Sequence, residues 1–370
     1  MKKYKKWLAF VLVLSLLLTA STGFTPARTA DAQPTLISVQ ELADGGKIYS
    51  YRIDGVQVDY PVPPAGFSPL TADDETLETY GFPPRPADRT SDDYADWAAL
   101  MANYKSSSAP EFEVTRVPVT NDAVSAAQPI GGTAAVQAIS AINSDAFAGY
   151  KSSITATNTK FYNQAQVDYV HPGVQSNNFI DGNGGFFIWT GIGDQSRSKL
   201  VQAGTGYDVS GHYAWYRIIS TSESSSQIRL NSFNVSAGNR IHVYISFQAA
   251  NGKFNYYFAN NTTGQSASAV VSAATASCFD GSMVSWGIER PRAYISSMKT
   301  TAATSLSQFA TFSLTNCKAT MSNSSTWLNM GSLSGLNKIT MKDWGLSATL
   351  CAPGSISSGT SFPLTWYKYY

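Results

Sequence analysis

The feature that most constrains the fold lies within residues 186–217. Two aromatic-rich runs, Phe186-Phe187-Ile188-Trp189-Thr190-Gly191-Ile192-Gly193-Asp194 and Leu200-Val201-Gln202-Ala203-Gly204, are followed by Tyr213-Ala214-Trp215-Tyr216-Arg217. Polar Gly, Asp, Ser and Arg residues separate them, which is the pattern of successive strands joined by surface loops. The same texture of short runs rich in Tyr, Phe, Val, Ile and Thr, broken by Gly, Asn and Ser, continues from Ala146 to the C-terminus. Ile241-His242-Val243-Tyr244-Ile245-Ser246-Phe247 and Tyr256-Tyr257-Phe258-Ala259 are examples, with Asn251-Gly252 as a hairpin turn between them. Regular turn signals without a helical stripe predict an all-β, antiparallel β-sandwich of two packed, curved sheets over 145–370. His242 alternates with Ile241 and Val243, and is expected to face solvent.

The preceding region differs in charge and texture. Residues 33–132 carry 15 acidic against 6 basic side chains, whereas 133–370 carry 9 against 15. Opposite charges of this size predict that the two regions attract. Residues 1–32 combine a basic start (Lys2, Lys3, Lys5, Lys6), an apolar run and an Ala30-Asp31-Ala32 exit, the layout of a secretory signal peptide. The apolar run is shorter than the ~20 residues of a spanning helix, so the expectation is secretion without a membrane span after cleavage. An acidic leader follows over 33–120, mixed in structure. It has a β-hairpin turning at Asp54-Gly55, a break at Pro61-Val62-Pro63-Pro64, and an extended Pro-rich stretch over 80–86. A short helix opens with a Thr90/Asp93 capping pair, carries Tyr94, Trp97, Met101 and Tyr104 on one face and ends within 105–108. Residues 121–144, rich in Ala, Gly, Gln and Ser, read as a linker.

Two motifs carry chemistry. Trp189-Thr190-Gly191-Ile192-Gly193, with Leu200-Val201-Gln202-Ala203-Gly204 and Tyr213-Ala214-Trp215-Tyr216, resembles the central signature of the glutamic peptidases, or eqolisins. Downstream, Val284-Ser285-Trp286-Gly287-Ile288-Glu289-Arg290-Pro291 resembles the strand that carries that family's glutamate. Asp145-Ala146-Phe147-Ala148-Gly149-Tyr150 resembles the opening of the mature enzyme, and Asn261-Thr262-Thr263-Gly264-Gln265 a turn between two central strands. The resemblance covers about 145–370. It implies a secreted, acid-acting β-sandwich endopeptidase with a Gln/Glu pair, and places that pair on Gln202 and Glu289. It implies no cofactor and no metal. Trp189, Trp215, Tyr216 and Phe147 are the expected substrate-binding aromatics. Alternation along Ser285, Gly287 and Glu289 puts Glu289 on the sheet face opposite Trp286 and Ile288. The chain departs from the family at Phe147 (usually Trp), Ser285 (usually Glu) and Arg217 (often Glu). These changes remove two carboxylates and add a guanidinium beside the expected cleft.

A Gln/Glu pair suits peptide hydrolysis. A carboxylate in reach of a water removes its proton as the water attacks the carbonyl, then returns it to the departing amine. An amide N–H aimed at the forming oxyanion stabilises it, typically by ~3 kcal/mol per donor. Other classes lack their motifs: the sequence has no His-Glu-x-x-His, no Gly-x-Ser-x-Gly and no Asp-(Ser/Thr)-Gly. The three histidines, His171, His212 and His242, are too scattered to suggest a metal. Cys278, Cys317 and Cys351 show no Cys-x-x-Cys spacing; Cys317 with Cys351 is a plausible single disulfide, and the sequence leaves the pairing open. The expected partners are polypeptide substrates and the chain's own acidic leader as an inhibitor lying near the groove, with no nucleic acid and a monomeric, extracellular protein. The rival reading is a non-catalytic sandwich that binds polysaccharide or a surface protein through Trp189, Tyr213, Trp215 and Tyr216. The arrangement of Gln202 and Glu289 separates the two: one shared concave face favours the enzyme, opposite faces the binder.

Overall fold

A computed structural model describes residues 34–118, 139–176, 184–193, 200–219, 224–272, 279–295, 300–343, 345 and 347–369. The expected signal peptide, most of the expected linker and Cys278 lie outside the described residues.

The leader begins with β1 (Thr35–Glu41), β2 (Lys47–Ile53) and β3 (Val56–Val62). β2 and β3 form the predicted hairpin, paired from Lys47 with Val62 to Ile53 with Val56. Asp54 and Gly55 both take positive φ, 48° and 81°. A two-residue turn needs that conformation to match the twist of its strands. Helix α1 (Asp74–Thr79) is capped by Asp73, which accepts from the Thr76 amide at 2.7 Å. Six residues are too few to show a helical period in the sequence. Helix α2 (Asp92–Ala102) starts on Ser91, whose hydroxyl accepts from the Tyr94 amide at 3.2 Å. Thr90 is not the cap, because its hydroxyl donates to Asp88 at 2.7 Å. The helix stops at Ala102, short of 105–108. β4 (Phe112–Pro118) completes the leader.

The remaining strands used here are β5 (Ser140–Ser144), β6 (Phe147–Ser153), β7 (Tyr162–Val170), β8 (Gly184–Gly193), β9 (Val201–Asp208), β10 (Gly211–Ile219) and β11 (Ser224–Leu230). They continue with β12 (Arg240–Gln248), β13 (Lys253–Asn260), β14 (Gln265–Ser272), β15 (Met283–Glu289), β16 (Phe312–Met321), β17 (Leu336–Lys342), β18 (Thr349–Pro353) and β19 (Phe362–Trp366). A front sheet runs β5-β17-β6-β15-β8-β9-β10-β11-β4. A back sheet runs β19-β16-β7-β12-β13-β14-β3-β2-β1. β18 pairs with β17 and with β19, joining the two sheets. Almost all these pairings are antiparallel, the β5–β17 pair being parallel. The predicted all-β sandwich is the observed fold.

Alternation builds the core. Ile188, Ala203, Tyr216, Trp286 and Ile288 point inward from the front sheet, and meet Val167, Val243, Ile245, Tyr256 and Phe258 from the back sheet. The Trp286 indole donates to the Gln166 carbonyl at 2.9 Å, so its one polar atom is satisfied across the interface.

The leader is built into this sandwich. β3 pairs with β14 and β4 with β11, so leader strands extend both sheets. Ser140–Ser144, expected as the end of a linker, is instead a strand on β17. The Pro-rich stretch does not lie near the expected groove. It sits on the outer face of the back sheet, where Tyr80, Phe82, Trp97 and Met101 pack with Tyr244 and Tyr257. Asn255 donates to the Gly81 carbonyl at 2.9 Å and Trp97 to the Pro83 carbonyl at 3.0 Å. Apolar burial anchors this placement, and part of the leader's charge is engaged locally. The Asp44 carboxyl is held below its usual range by Tyr80 and the Gly46 amide, Asp73 by Thr76, and Asp88 by Thr90. Among the described residues, charged groups of the leader do meet the sandwich: Lys318 donates to Asp93 at 2.7 Å and Asp96 at 3.2 Å, Gln248 to Glu78 at 3.2 Å, and the Ser226 hydroxyl to Asp54.

Two smaller expectations also change. His242 does point away from the core, as alternation predicts, but the face it occupies is covered: it is 3% exposed and bonds Asp168 at 2.6 Å. Cys317 and Cys351 are separate buried thiols, not a disulfide, and burial pushes both pKa values up.

Candidate active site

Gln202 and Glu289 stand on the same face of the front sheet, on the two strands that flank β8. In β8, Phe187, Trp189 and Gly191 point outward, since Ile188 and Ile192 fill the core. Directly paired residues share a face. Gly191 pairs with Gln202 on one side and Ser285 on the other. Trp189 pairs with Gly204 and Gly287, and Phe187 with Gly206 and Glu289. The two polar side chains therefore approach from opposite corners, with Trp189 between them. On a flat sheet this diagonal would part their Cα atoms by about 16 Å.

The floor between them is aromatic over glycine. A Cβ at Gly204 would run into the Ile188 carbonyl oxygen, and one at Gly287 into the Ala148 carbonyl and the Phe147 ring. Trp189 packs on Phe147 with ring centroids 5.0 Å apart, and Phe187 on Trp215 at 5.2 Å. Tyr213 belongs to the same cluster and carries the Arg229 guanidinium 3.5 Å over its ring.

The expected aromatics divide. Phe147, Trp189 and Trp215 are on the Gln202/Glu289 face but are 1%, 1% and 3% exposed. They are a buried floor, not an open wall. Tyr216 is on the other face altogether: it is in the sandwich core, its hydroxyl 2.5 Å from that of Tyr60. Alternation from Trp215 requires this, so Tyr216 is corrected from a substrate contact to a core residue that ties the leader to β10. Phe187, which sequence reasoning missed, is the partly exposed aromatic on this face, beside Glu289. Its signal was present, two residues from Trp189 on the same strand.

Exposure of the pair is unequal. Gln202 is 2% exposed, whereas Glu289 is partly exposed. The amide is thus shut away from water while the carboxylate reaches it. Arg290 is buried, with its Nε donating to the Asp145 carbonyl at 2.6 Å and a terminal nitrogen to Thr304 at 3.2 Å. It pins the start of β6 against the end of β15, and so fixes the backbone that carries Glu289. Among the described residues, no group of three or more His, Cys, Asp or Glu side chains is placed to hold a metal, and no helix is long and apolar enough to cross a membrane.

The profile of the peptidase A4 family matches residues 146–362. The chain is similar to scytalido-glutamic peptidase solved with a peptide-based transition-state analogue, at 15% identity and a TM-score of 0.48, over 60% of this chain and 98% of that one. It is also similar to SCP-B, a member of the eqolisin family solved with the tripeptide Ala-Ile-His, at 17% identity and a TM-score of 0.47, over 60% and 98%. No curated protein sequence matches the chain.

Proposed function

The chain belongs to the peptidase A4 family and is a peptide hydrolase, and from that premise we propose that Gln202 and Glu289 are its catalytic pair, working in acid outside the cell. The observation that carries this reading is the shared face: the two residues flank β8 on one side of the front sheet. A binding module working through Trp189, Tyr213, Trp215 and Tyr216 fits less well, since all four are buried.

In the proposed reaction a water lies between the Glu289 carboxylate and the scissile carbonyl. Glu289 removes one proton as the water oxygen bonds to the carbonyl carbon, and the carbonyl π electrons move onto oxygen. The Gln202 amide, held by burial, donates to that oxyanion. The protonated Glu289 then gives its proton to the amide nitrogen as the C–N bond breaks, which regenerates the carboxylate. A carboxamide does not titrate in acid, so Gln202 remains a donor across the working range. Residues 1–32 act as the export signal. The leader adds a strand to each sheet, and its Pro-rich stretch lies on the back sheet and not in the groove.

A casein digest with acid-treated purified protein, run beside Glu289→Gln, tests the reading. Cleavage by the wild type that falls at least ~10²-fold in the variant supports it. Inhibition by a chelator would replace it with a metal mechanism.

A further inference from the structure

We propose that a cavity between the leader and the back sheet binds an aliphatic diamine, and that this ligand holds the two parts together. The cavity measures about 210 Å³, less than the ~300–1,000 Å³ of pockets for drug-sized molecules, so its ligand is small. Its leader wall is built by Pro84 and by Asp93, Asp96, Trp97 and Leu100 of α2. Its sandwich wall is built by Asp168 of β7, His242 of β12, Asn316 of β16 and Trp327. Ile241 and Val243 fill the core, so His242 points out of the back sheet and the cavity lies across the sandwich from Gln202 and Glu289.

Charge and hydrogen bonding decide what the cavity takes. Lys318 donates to Asp93 and Asp96, and Arg85, stacked over Trp97, is engaged by Asp74 and the Ala72 carbonyl. Three carboxylates against Lys318 leave two negative charges on the walls when His242 is neutral. The wall amides already donate within the protein: Asn316 to Asp168 at 2.9 Å, Gln166 to Asn316 at 3.0 Å and Asn103 to the Ala99 carbonyl at 3.0 Å. Asp168 also bonds Nδ1 of His242 at 2.6 Å. A carboxylate only accepts, so the neutral ring carries its proton on Nδ1 and keeps a lone pair on Nε2. That Nε2 is buried and has no hydrogen-bond partner, in a side chain 3% exposed. Acceptors and negative charge call for a group that is cationic and only donates, which is an ammonium. A sugar hydroxyl brings no charge, and among the described residues no three His, Cys, Asp or Glu side chains are placed to hold a metal. Carboxylates stand on both walls, which calls for an ammonium at each end, and Pro84, Leu100 and half-buried Trp327 line the space for methylenes between.

The test is isothermal titration calorimetry of full-length protein at pH 7 and low salt with 1,4-diaminobutane, beside 1-butanol and magnesium chloride at matched ionic strength. One diamine is expected to bind per chain, with no saturable binding of butanol. Asp168→Asn should weaken the diamine about tenfold, as loss of one charge-assisted hydrogen bond does. Asp96→Asn, at a side chain 54% exposed, should weaken it severalfold while the fold stays intact. A ligand that grips both walls also stabilises their contact, so the diamine should slow hydrogen exchange of the α2 amides in wild type. Weaker binding in either variant sustains the inference. No saturable binding, unchanged affinity in both variants, or butanol bound as tightly as the diamine overturns it. Magnesium that displaces the diamine mole for mole would place a metal ion there and overturns it too. Binding that leaves α2 exchange unchanged removes the claim that the ligand joins leader and sandwich.

Discussion

At the residue scale, side-chain direction along each strand matters more than the identity of any motif. Trp189, Gly191 and Gln202 were legible as a group because glycine alternates with a large ring, and the structure shows why: a Cβ at Gly191 would press on the Trp189 ring, and one at Gly204 or Gly287 would run into the neighbouring strand's carbonyl. Gly204→Ala is expected to cost more than ~3 kcal/mol, since the added carbon meets backbone and not a side chain that can turn away. A melting temperature within ~2 °C of wild type would contradict that. Tyr216 was misplaced by reading Trp215-Tyr216 as one aromatic patch, when adjacent strand residues point to opposite faces.

His171 makes a second residue-scale prediction. It is buried, with Nδ1 2.8 Å from the Thr205 hydroxyl and Nε2 2.8 Å from His212. Burial, with His212 beside it, pushes its pKa down to about 3, against ~6.5 in the unfolded chain. The unfolded state therefore takes up a proton that the folded state refuses. This contribution to stability is whole above pH ~6.5 and is lost as pH falls toward about 3. His171→Asn should shrink the stability difference between pH 7 and pH 4, measured by urea unfolding, by roughly 2–3 kcal/mol. An unchanged difference would mean that His171 titrates normally.

At the scale of elements, the leader shows where sequence reasoning stopped. The β2–β3 hairpin and α2 were readable from Asp54-Gly55 and from the spacing of Trp97 and Met101. The surface that α2 covers was not, because Tyr244 and Tyr257 look like ordinary outward strand residues until a partner is known. Charge counts suggested an electrostatic latch. An ion pair crosses the boundary at Lys318, where burial alone would lower the lysine pKa but Asp93 and Asp96 outweigh it and raise it. Truncating Trp97 to Ala is thus expected to cost ~3–5 kcal/mol, and Lys318→Met much less, because the Asp93 and Asp96 side chains keep 28% and 54% exposure. Thermal unfolding of both variants at 0.1 and 1 M salt checks this. A larger loss in Lys318→Met, or a wild type that melts much lower in high salt, would restore the latch.

On the scale of the whole molecule, leader and sandwich share two sheets. Pairing of β4 with β11 and of β3 with β14 means that removing the leader would bare strand edges in both sheets, with Tyr244 and Tyr257 uncovered. A single cut within 119–138 should leave the two fragments co-eluting in native size-exclusion chromatography and separating only in denaturant. Fragments that part in buffer would show that these pairings do not hold the leader. The sandwich itself was legible from the rhythm of strands and turns, whereas its leader-extended edges were not, since nothing in a strand's own sequence says which edge it joins.

The central claim is that two residues from strands on either side of β8 act on one bond. A double-mutant cycle on kcat/KM in acid tests it most directly, with Gln202→Ala, Glu289→Gln and the double variant matched for folding by circular dichroism. Each single change is expected to lower the rate by ~10² or more, and the double variant to be little worse than the poorer single, as for groups that work as a unit. Multiplying losses, or a single variant that keeps more than about a tenth of wild-type activity, would contradict it.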